Sequence, residues 1–308
     1  MKVLIAAGEF FNDFIFYGIR RLPRMGEELV TRNFAITLGG GAPNTAITAA
    51  RLGRRVELAT VLGDSVVDEL AIARLEKEGV GCRLVKRRPN GAGAVTVAVS
   101  GAKDRFFLTY PGSNQFLQSY LVAQSTRRKL AEGAHVHFGL APENWSSFSK
   151  LVGWLRRQNV TTSWDLGWHP EALREPGFRK LYSKLDIVFL NKLEALRLSR
   201  SKTVRDALRR LARPGQCVVV KLGPSGAIAS DSHAGFVRVR GRKANVVDTT
   251  GAGDAFNGGF LHTWLNGGSL EECLTVGNIC GSLSTTKPGG ADGTPTCKQL
   301  ERLLEARS

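Results

Sequence analysis

One stretch constrains this chain more than any other: Asp248-Thr249-Thr250-Gly251-Ala252-Gly253-Asp254-Ala255-Phe256-Asn257-Gly258-Gly259-Phe260. The apolar pair Val246-Val247 precedes it and an apolar segment reaching Leu265 follows, a pattern that predicts strand, glycine-rich turn and helix. Gly251 and Gly253 let the backbone turn tightly and admit a ligand where a Cβ would block it. The first amides of the following helix lack intrahelical partners and point into the turn, which suits an anion. Asp254, on the first helical turn, sets a carboxylate beside that site. A purely structural account exists, because the macrodipole favours an acidic residue near a helix N-terminus. An anion site paired with a carboxylate also suits chemistry: a proton leaves a hydroxyl while a phosphoryl group arrives.

The rest of the chain supplies a frame for that turn. Val3–Gly8 predicts a first strand, and Asn12–Gly18 and Glu28–Thr37 predict extended, partly alternating segments. Gly39-Gly40-Gly41-Ala42-Pro43-Asn44 then turns into a helical pattern over Thr45–Leu52, stopped by Gly53. Val56–Leu62 reads as a buried strand and Asp68–Glu78 as a helix closed by Gly79. Val95–Val99 and Arg105–Leu108 read as a hairpin. Helix and strand alternate thereafter: helix Tyr120–Glu132 and strand His135–Gly139, helix Trp145–Gln158 and strand Val160–Trp164. A helix near Pro176–Leu185 precedes strand Ile187–Leu190, and helix Val204–Ala212 precedes strand Cys217–Lys221. That spacing argues for a mostly parallel sheet covered on both faces, a three-layer α/β/α fold. The early β segments, roughly 13–37 and 93–110, interrupt the alternation and predict a small β-sheet lid. No repeat or linker separates two units, so 1–308 is read as one domain.

Asp-Thr-Thr-Gly-Ala-Gly-Asp resembles the C-terminal signature of ribokinase-like carbohydrate kinases, the phosphofructokinase-B family. Further motifs extend the resemblance, in order, from the first strand to about Pro295. Gly8 with Asp13 is similar to the family's N-terminal Gly…Asp, which implies that Asp13 binds sugar hydroxyls. Gly39-Gly40-Gly41-Ala42-Pro43-Asn44 with Ala49-Ala50-Arg51-Leu52-Gly53 resembles the first family signature. The resemblance implies that Gly40 and Gly41 pack against the sugar and Asn44 hydrogen-bonds it. Asn191-Lys192-Leu193-Glu194 resembles Asn-x-x-Glu, implying that Asn191 and Glu194 hold hydrated Mg²⁺ near the ATP phosphates; a helix N-cap is the compatible structural account.

Val218–Ala227 resembles the strand–Gly-x-x-Gly–strand turn lying along the nucleotide, which assigns Lys221, Gly223 and Gly226 to ATP. Asn278 matches the adenine-side helix. Lys287-Pro288-Gly289-Gly290-Ala291 matches the loop that, with Asp248, often ligates a monovalent cation such as K⁺. This loop departs from the pattern by an extra residue and by Pro288. Trp164-Asp165-Leu166-Gly167-Trp168 follows a strand's carboxyl end, where open α/β sheets bind ligands, so Asp165 and Trp168 are candidate substrate contacts alongside aromatic packing. Arg105 in the lid completes the expected substrate set.

The resemblance implies an ATP-dependent kinase acting on a primary hydroxyl of a small carbohydrate. Asp254 would be the base, and the Gly251, Ala252, Gly253 and Asp254 amides would stabilise the transferring phosphoryl oxygens. Phe138-Gly139-Leu140-Ala141-Pro142 lacks the glutamate that ribokinases themselves show before the corresponding proline, so ribose loses ground. Fructose, a ketodeoxy acid, a nucleoside and a sugar phosphate all remain open, the last with Lys103, Arg105, Arg20 and Arg32 as candidate cations. The rival from another class is a non-catalytic binder of nucleotide or nucleic acid.

Net charge bears on that rival. With 43 Lys+Arg against 27 Asp+Glu, the chain carries +16 at pH 7. The basic residues are scattered in twos and threes with no zinc-finger spacing, RNP-like strand or basic tail, so a solvated basic surface is expected and no nucleic-acid partner. There is no Walker loop and no GxGxxG after a first strand. His135 and His137 alternate on a strand without a third ligand and read as interior residues. The five cysteines show no CxxC, which suits reduced thiols in the cytoplasm; Cys273 and Cys280 share one helix face. No apolar run approaches the ~18 residues of a membrane span. An exposed lid face would be covered by pairing two lids in a homodimer.

Overall fold

In the computed structural model, which describes residues 3–19, 21–101, 105–167, 170–231 and 235–306, every residue of the first strand, β1 (Leu4–Gly8), is buried. A strand reads this way when both faces are covered. Leu4 and Ala6 look into one core, Ile5 and Ala7 into another. The remaining strands are β2 (Phe11–Ile19), β3 (Phe34–Gly39), β4 (Val56–Leu62), β5 (Val80–Arg87), β6 (Val95–Gly101), β7 (Arg105–Tyr110), β8 (His135–Gly139), β9 (Thr161–Asp165), β10 (Ile187–Asn191), β11 (Cys217–Lys221), β12 (Ala227–Asp231) and β13 (Gly235–Val239). The helices are α1 (Gly41–Arg51), α2 (Val66–Lys77), α3 (Leu117–Val122), α4 (Gln124–Leu130), α5 (Trp145–Arg157), α6 (Phe178–Tyr182), α7 (Lys192–Ser199), α8 (Val204–Leu211), α9 (Ala252–Leu265), α10 (Leu270–Ser284) and α11 (Cys297–Glu305).

Nine strands among the described residues form the main sheet in the order β13-β12-β11-β10-β9-β8-β1-β4-β5. It is parallel from β5 to β11, and β12 and β13 add an antiparallel edge. On one face, Val136, Phe138, Trp164, Val188 and Val218 pack against α3 to α8; on the other, Leu58, Ile187, Phe189 and Val219 pack against α1, α2, α9 and α10. The result is the expected three-layer α/β/α arrangement. A second sheet, ordered β3-β2-β6-β7, stands apart. Phe34, Ile36, Phe107 and Leu108 of this sheet are exposed.

Several local expectations need correction. The helix expected over Tyr120–Glu132 starts at Leu117 and breaks at Ala123, whose extended ψ of 143° separates α3 from α4. Of Glu28–Thr37 only the part from Phe34 is strand, and the helix near Pro176–Leu185 shrinks to α6. Strand β5 pairs parallel with β4 at the sheet edge and was not foreseen. Val246–Val247 is not a strand: the Val247 and Asp248 amides both donate to Thr285 O, at 2.7 and 3.1 Å, so α10 holds this segment instead of a sheet neighbour.

One polar track crosses the apolar sheet. His135 bonds Thr161 Oγ1 (2.8 Å) and Ser163 Oγ (2.7 Å), and His137 Nδ1 meets the same Ser163 hydroxyl at 2.8 Å. Burial holds both imidazoles far below the usual histidine range, His135 at about 3 and His137 at about 4, so they stay neutral interior groups.

Helix α9 is seated by close approach. A Cβ at Gly258 would lie 2.7 Å from Thr45 O of α1, and one at Gly259 would lie 2.8 Å from Cys280 Sγ and 2.9 Å from Val276 O of α10. Gly259→Val should therefore overpack the α9–α10 contact and lower stability by about 1–3 kcal/mol. Urea unfolding at constant m-value reads that loss, and an unchanged midpoint would mean that the helices slide apart freely.

Candidate active site

β1 is the point where the chain turns both ways across the sheet, to β4 on one side and β8 on the other. Open α/β sheets bind ligands in the crevice outside the carboxyl ends of strands at such a switch point. The register aligns Gly8 of β1 with Gly139 of β8, Gly139 with Asp165 of β9, and Asn191 of β10 with Lys221 of β11. The residues singled out from sequence thus arrive at one edge from strands far apart in the chain.

Over this edge sits the N-terminus of α9. Gly251 holds the left-handed conformation (φ 69°), and a Cβ there would meet Gly290 Cα at 2.4 Å. The tightness of the turn modifies the expected anion hole. Ala252 N is bonded to Thr249 O at 3.4 Å and Asp254 N to Gly251 O at 3.0 Å, so two of the four amides are already engaged. Asp254 is partly open to the cleft. The surrounding protein and then the charge of Asp165 push its carboxyl up to about 7, against the pull of Lys221 and a hydrogen bond from Asn44.

Asp13, Asn44 and the glycines converge on the same place. A Cβ on Gly41 would lie 3.2 Å from Asp254 Oδ1, and a Cβ on Gly39 would overlap the Asp13 carboxylate. Gly40, with φ 98°, caps α1 where a side chain would strike Glu9 O. Gly39 and Gly41 thus make room for carboxylates of the protein itself, and Gly40 for its backbone. Asp13 is buried; burial, and then the neighbouring charge of Asp248, push it up to about 7 despite a hydrogen bond from Thr96. Two buried oxygens nearby, Asn44 Oδ1 and Thr37 Oγ1, have no hydrogen-bond partner among the described residues. Thr37 faces Asp13 across the β2–β3 pair, with Gly289 packed against it. It escaped the sequence reading because a lone strand threonine carries no pattern.

Lys221 lines the expected nucleotide side, but its ammonium turns inward to the Asp165 carboxylate, 2.5 Å away. Asp165 also accepts from Asn257 Nδ2 (2.6 Å) and Gly167 N (3.0 Å), so its oxygens are taken by the protein. Asn191 and Glu194 form a reciprocal cap on α7: Glu194 accepts from Asn191 N (2.8 Å) and Nδ2 (2.6 Å), and Asn191 Oδ1 accepts from Glu194 N (2.9 Å). Burial, then Asp165, push Glu194 up to about 7. With both oxygens already accepting, this donor set fits contact with Mg²⁺ through water better than direct ligation. Asp248 staples the turn to the C-terminal loop, accepting from Thr250 N (2.9 Å), Thr250 Oγ1 (2.8 Å) and Gly289 N (3.0 Å).

Beside Ala252 and Gly253 opens a cavity of about 1160 Å³, bounded by Gly223 and Gly226 after β11, by Asn278 of α10 and by the segment 241–249. Asn278 spends its amide on Val239 O and Arg240 O (both 3.3 Å), holding the end of β13 against the cavity. The outward apolar pair Val246–Val247 forms one wall, which is why it mimicked a strand in the sequence. Arg105 opens β7, but its side chain lies outside the described residues, as do Arg20, Lys103 and Trp168; Arg32 is exposed.

Comparison with known proteins bears on the family and the fold. The pfkB family carbohydrate kinase profile matches residues 1–297. An uncharacterized sugar kinase of Archaeoglobus fulgidus is 29% identical, over 80% of this chain and 97% of its own. The ATP-dependent ribose-1-phosphate kinase of Halopiger xanaduensis is 27% identical over 94% of each chain. Among solved structures, Arabidopsis thaliana ribokinase complexed with ribose and ATP superposes with a TM-score of 0.83 at 23% identity, covering 99% of both chains, so the fold is the ribokinase fold.

The raised Asp254 carboxyl has a consequence for stability. Its ordinary value is 3.8 and its folded value about 7, so between those pH values the folded state binds more protons than the unfolded one. Its stabilising contribution is complete below pH 4 and is lost as pH rises through 7. Asp254→Asn should therefore melt above the wild type at pH 8, with the gap closing at pH 4.5. An equal gap at both pH values in thermal scans would refute the assignment.

Proposed function

This chain belongs to the pfkB family of carbohydrate kinases, and we propose that it transfers the γ-phosphoryl group of ATP to a primary hydroxyl of a small neutral polyol, with Asp254 as general base. The observation that carries this reading is the pair of unpartnered buried oxygens, Asn44 Oδ1 and Thr37 Oγ1, set beside the Asp13 and Asp254 carboxyls. A buried polar atom without a partner costs free energy, and a polyol brings the missing donors. In this reading Asp13, Thr37 and Asn44 orient the sugar by its hydroxyls and turn one of them toward Asp254. ATP occupies the cavity along Gly223, Gly226 and Asn278, which directs its phosphates at the N-terminus of α9.

Asp254 takes the hydroxyl proton as the oxygen attacks the γ-phosphorus. The Gly253 end of α9 presents the positive pole of the helix to the transferring oxygens. Asn191 and Glu194 would hold Mg²⁺ through water, and that ion neutralises phosphate charge when bound. The small sheet, which carries Asp13 on β2 and Thr37 on β3 and is read as a lid, excludes water from the reacting atoms. The acidic pair of Asp13 and Asp248 favours an uncharged acceptor at this end of the site over a sugar phosphate. A cytoplasmic enzyme fits five cysteines that are all free, and among the described residues no helix is long and apolar enough to cross a membrane.

ADP release with MgATP across hexoses, pentoses, ketodeoxy acids, nucleosides and sugar phosphates tests the reading. Turnover should concentrate on one neutral class and fall about 10²–10⁴-fold in Asp254→Asn. Because the base works deprotonated, kcat/KM should rise with pH through about 7 and level off above it. Full activity of Asp254→Asn would sink the mechanism.

We also propose that two lids pair into a homodimer, which would cover Phe34, Ile36, Phe107 and Leu108. Light scattering at working concentration should give twice the 33.4 kDa chain mass. A monomer, unchanged by charge placed at Ile36 (Ile36→Glu), would exclude the pairing.

A further inference from the structure

Lys221 ends β11 with its ammonium beneath the N-terminus of α9. Besides the Asp165 carboxylate at 2.5 Å, it reaches Asn257 Oδ1 at 3.4 Å and Gly253 O at 3.5 Å. Asn257, one turn along α9 and fully buried, donates to the same Asp165 oxygen at 2.6 Å, so the three side chains close a ring. A Cβ on Gly253 would lie 2.9 Å from the Lys221 nitrogen. Glycine precedes Asp254, then, because a cation fills the space a side chain would take, in addition to any need for phosphate to approach from the other side.

We propose that Lys221, held by Asp165 and Asn257, is a positioning residue for phosphoryl transfer: it fixes the Gly253–Asp254 turn and supplies the positive charge against which the Asp254 carboxylate works. The inference rests on Asp254 acting as the base. Replacing a buried ion pair by apolar groups is often neutral or stabilising, so the pair is a poor candidate for a purely stabilising device. Its placement is electrostatically specific. Asp254 faces Lys221 from β11, Asp165 from β9 and the Asn44 amide from α1. Asp165 in turn faces the neutral His137 of β8, and Lys221 faces Glu194 of α7. Lys221 favours the ionised base and Asp165 opposes it. Removing one or the other therefore moves the proton affinity of Asp254 in opposite directions, whereas a pair that only held the turn closed would, when broken, let in solvent and shift it the same way in both.

The test uses the full chain, aspartate-labelled with ¹³C at the carboxyl carbon, without sugar or nucleotide. The Asp254 resonance is identified by its disappearance in Asp254→Asn. In Asp165→Asn the resonance should titrate about one pH unit below the wild type, and in Lys221→Met about one unit above it. Lys221→Met leaves a buried anion without its cation and can fail to fold; Asp165→Asn keeps the shape and carries the test alone. Lys221→Arg, which restores the charge, should return the titration toward the wild type. Unchanged titration in Asp165→Asn, or a shift of the same sign in both neutralising variants, overturns the inference. Turnover of Asp254→Asn decides the base assignment separately, so failure of one is distinguishable from failure of the other.

Discussion

The site depends on how closely the N-terminus of α9 can approach its neighbours. Gly251 lies against Gly290, Gly253 against the Lys221 ammonium, Gly258 against α1 and Gly259 against α10. Each contact would be lost to an ordinary side chain, and together they lower the positive end of the helix onto the carboxyl edge of the sheet. At that depth Asp254 stands where a side chain on Gly41 would crowd it, beside Asn44 and the glycine turn that leads into α1. Packing density, usually a matter of stability, here sets where the Asp254 carboxyl stands.

Electrostatics follows from that packing. Three carboxyls, Asp13, Glu194 and Asp254, sit where burial raises them to about 7, close to the pH at which a proton is most usefully exchanged. The fold sustains this by opposing devices: Lys221 against Asp165 below Asp254, Thr96 against Asp248 around Asp13, and the Asn191 cap against burial at Glu194. The neutral histidines on β8 are engaged by Ser163 and Thr161, although the buried His137 Nε2 has no hydrogen-bond partner among the described residues. Raised carboxyls are destabilising above neutrality.

Much of this was legible beforehand. The alternation of helix and strand from residue 120 onward, the glycine turns and the Asp248–Asp254 stretch each depend on local periodicity or spacing, which the chain displays directly. The misreadings share a cause. Val246–Val247 is apolar because it walls a cavity; β5 carries Arg83, Lys86 and Arg87 because it is an edge strand; and Ala123, an excellent helix former, is extended between α3 and α4 against its own propensity. In each, the environment around the segment outweighed the propensity within it.

The sequence alone determined the fold class, the order of the elements and the identity of most groups that meet at the strand ends, because these follow from hydrophobic period, glycine placement and motif order. Tertiary structure decided what those groups do to one another. That the Lys221 ammonium serves Asp165 and lies under Gly253, that Thr37 and Asn44 offer unpartnered oxygens, and that Asp248 staples a loop are facts of distance between residues far apart in the chain. Proton affinity and hydrogen-bond satisfaction fall off within a few ångströms, and no local pattern in the chain encodes separations of that size.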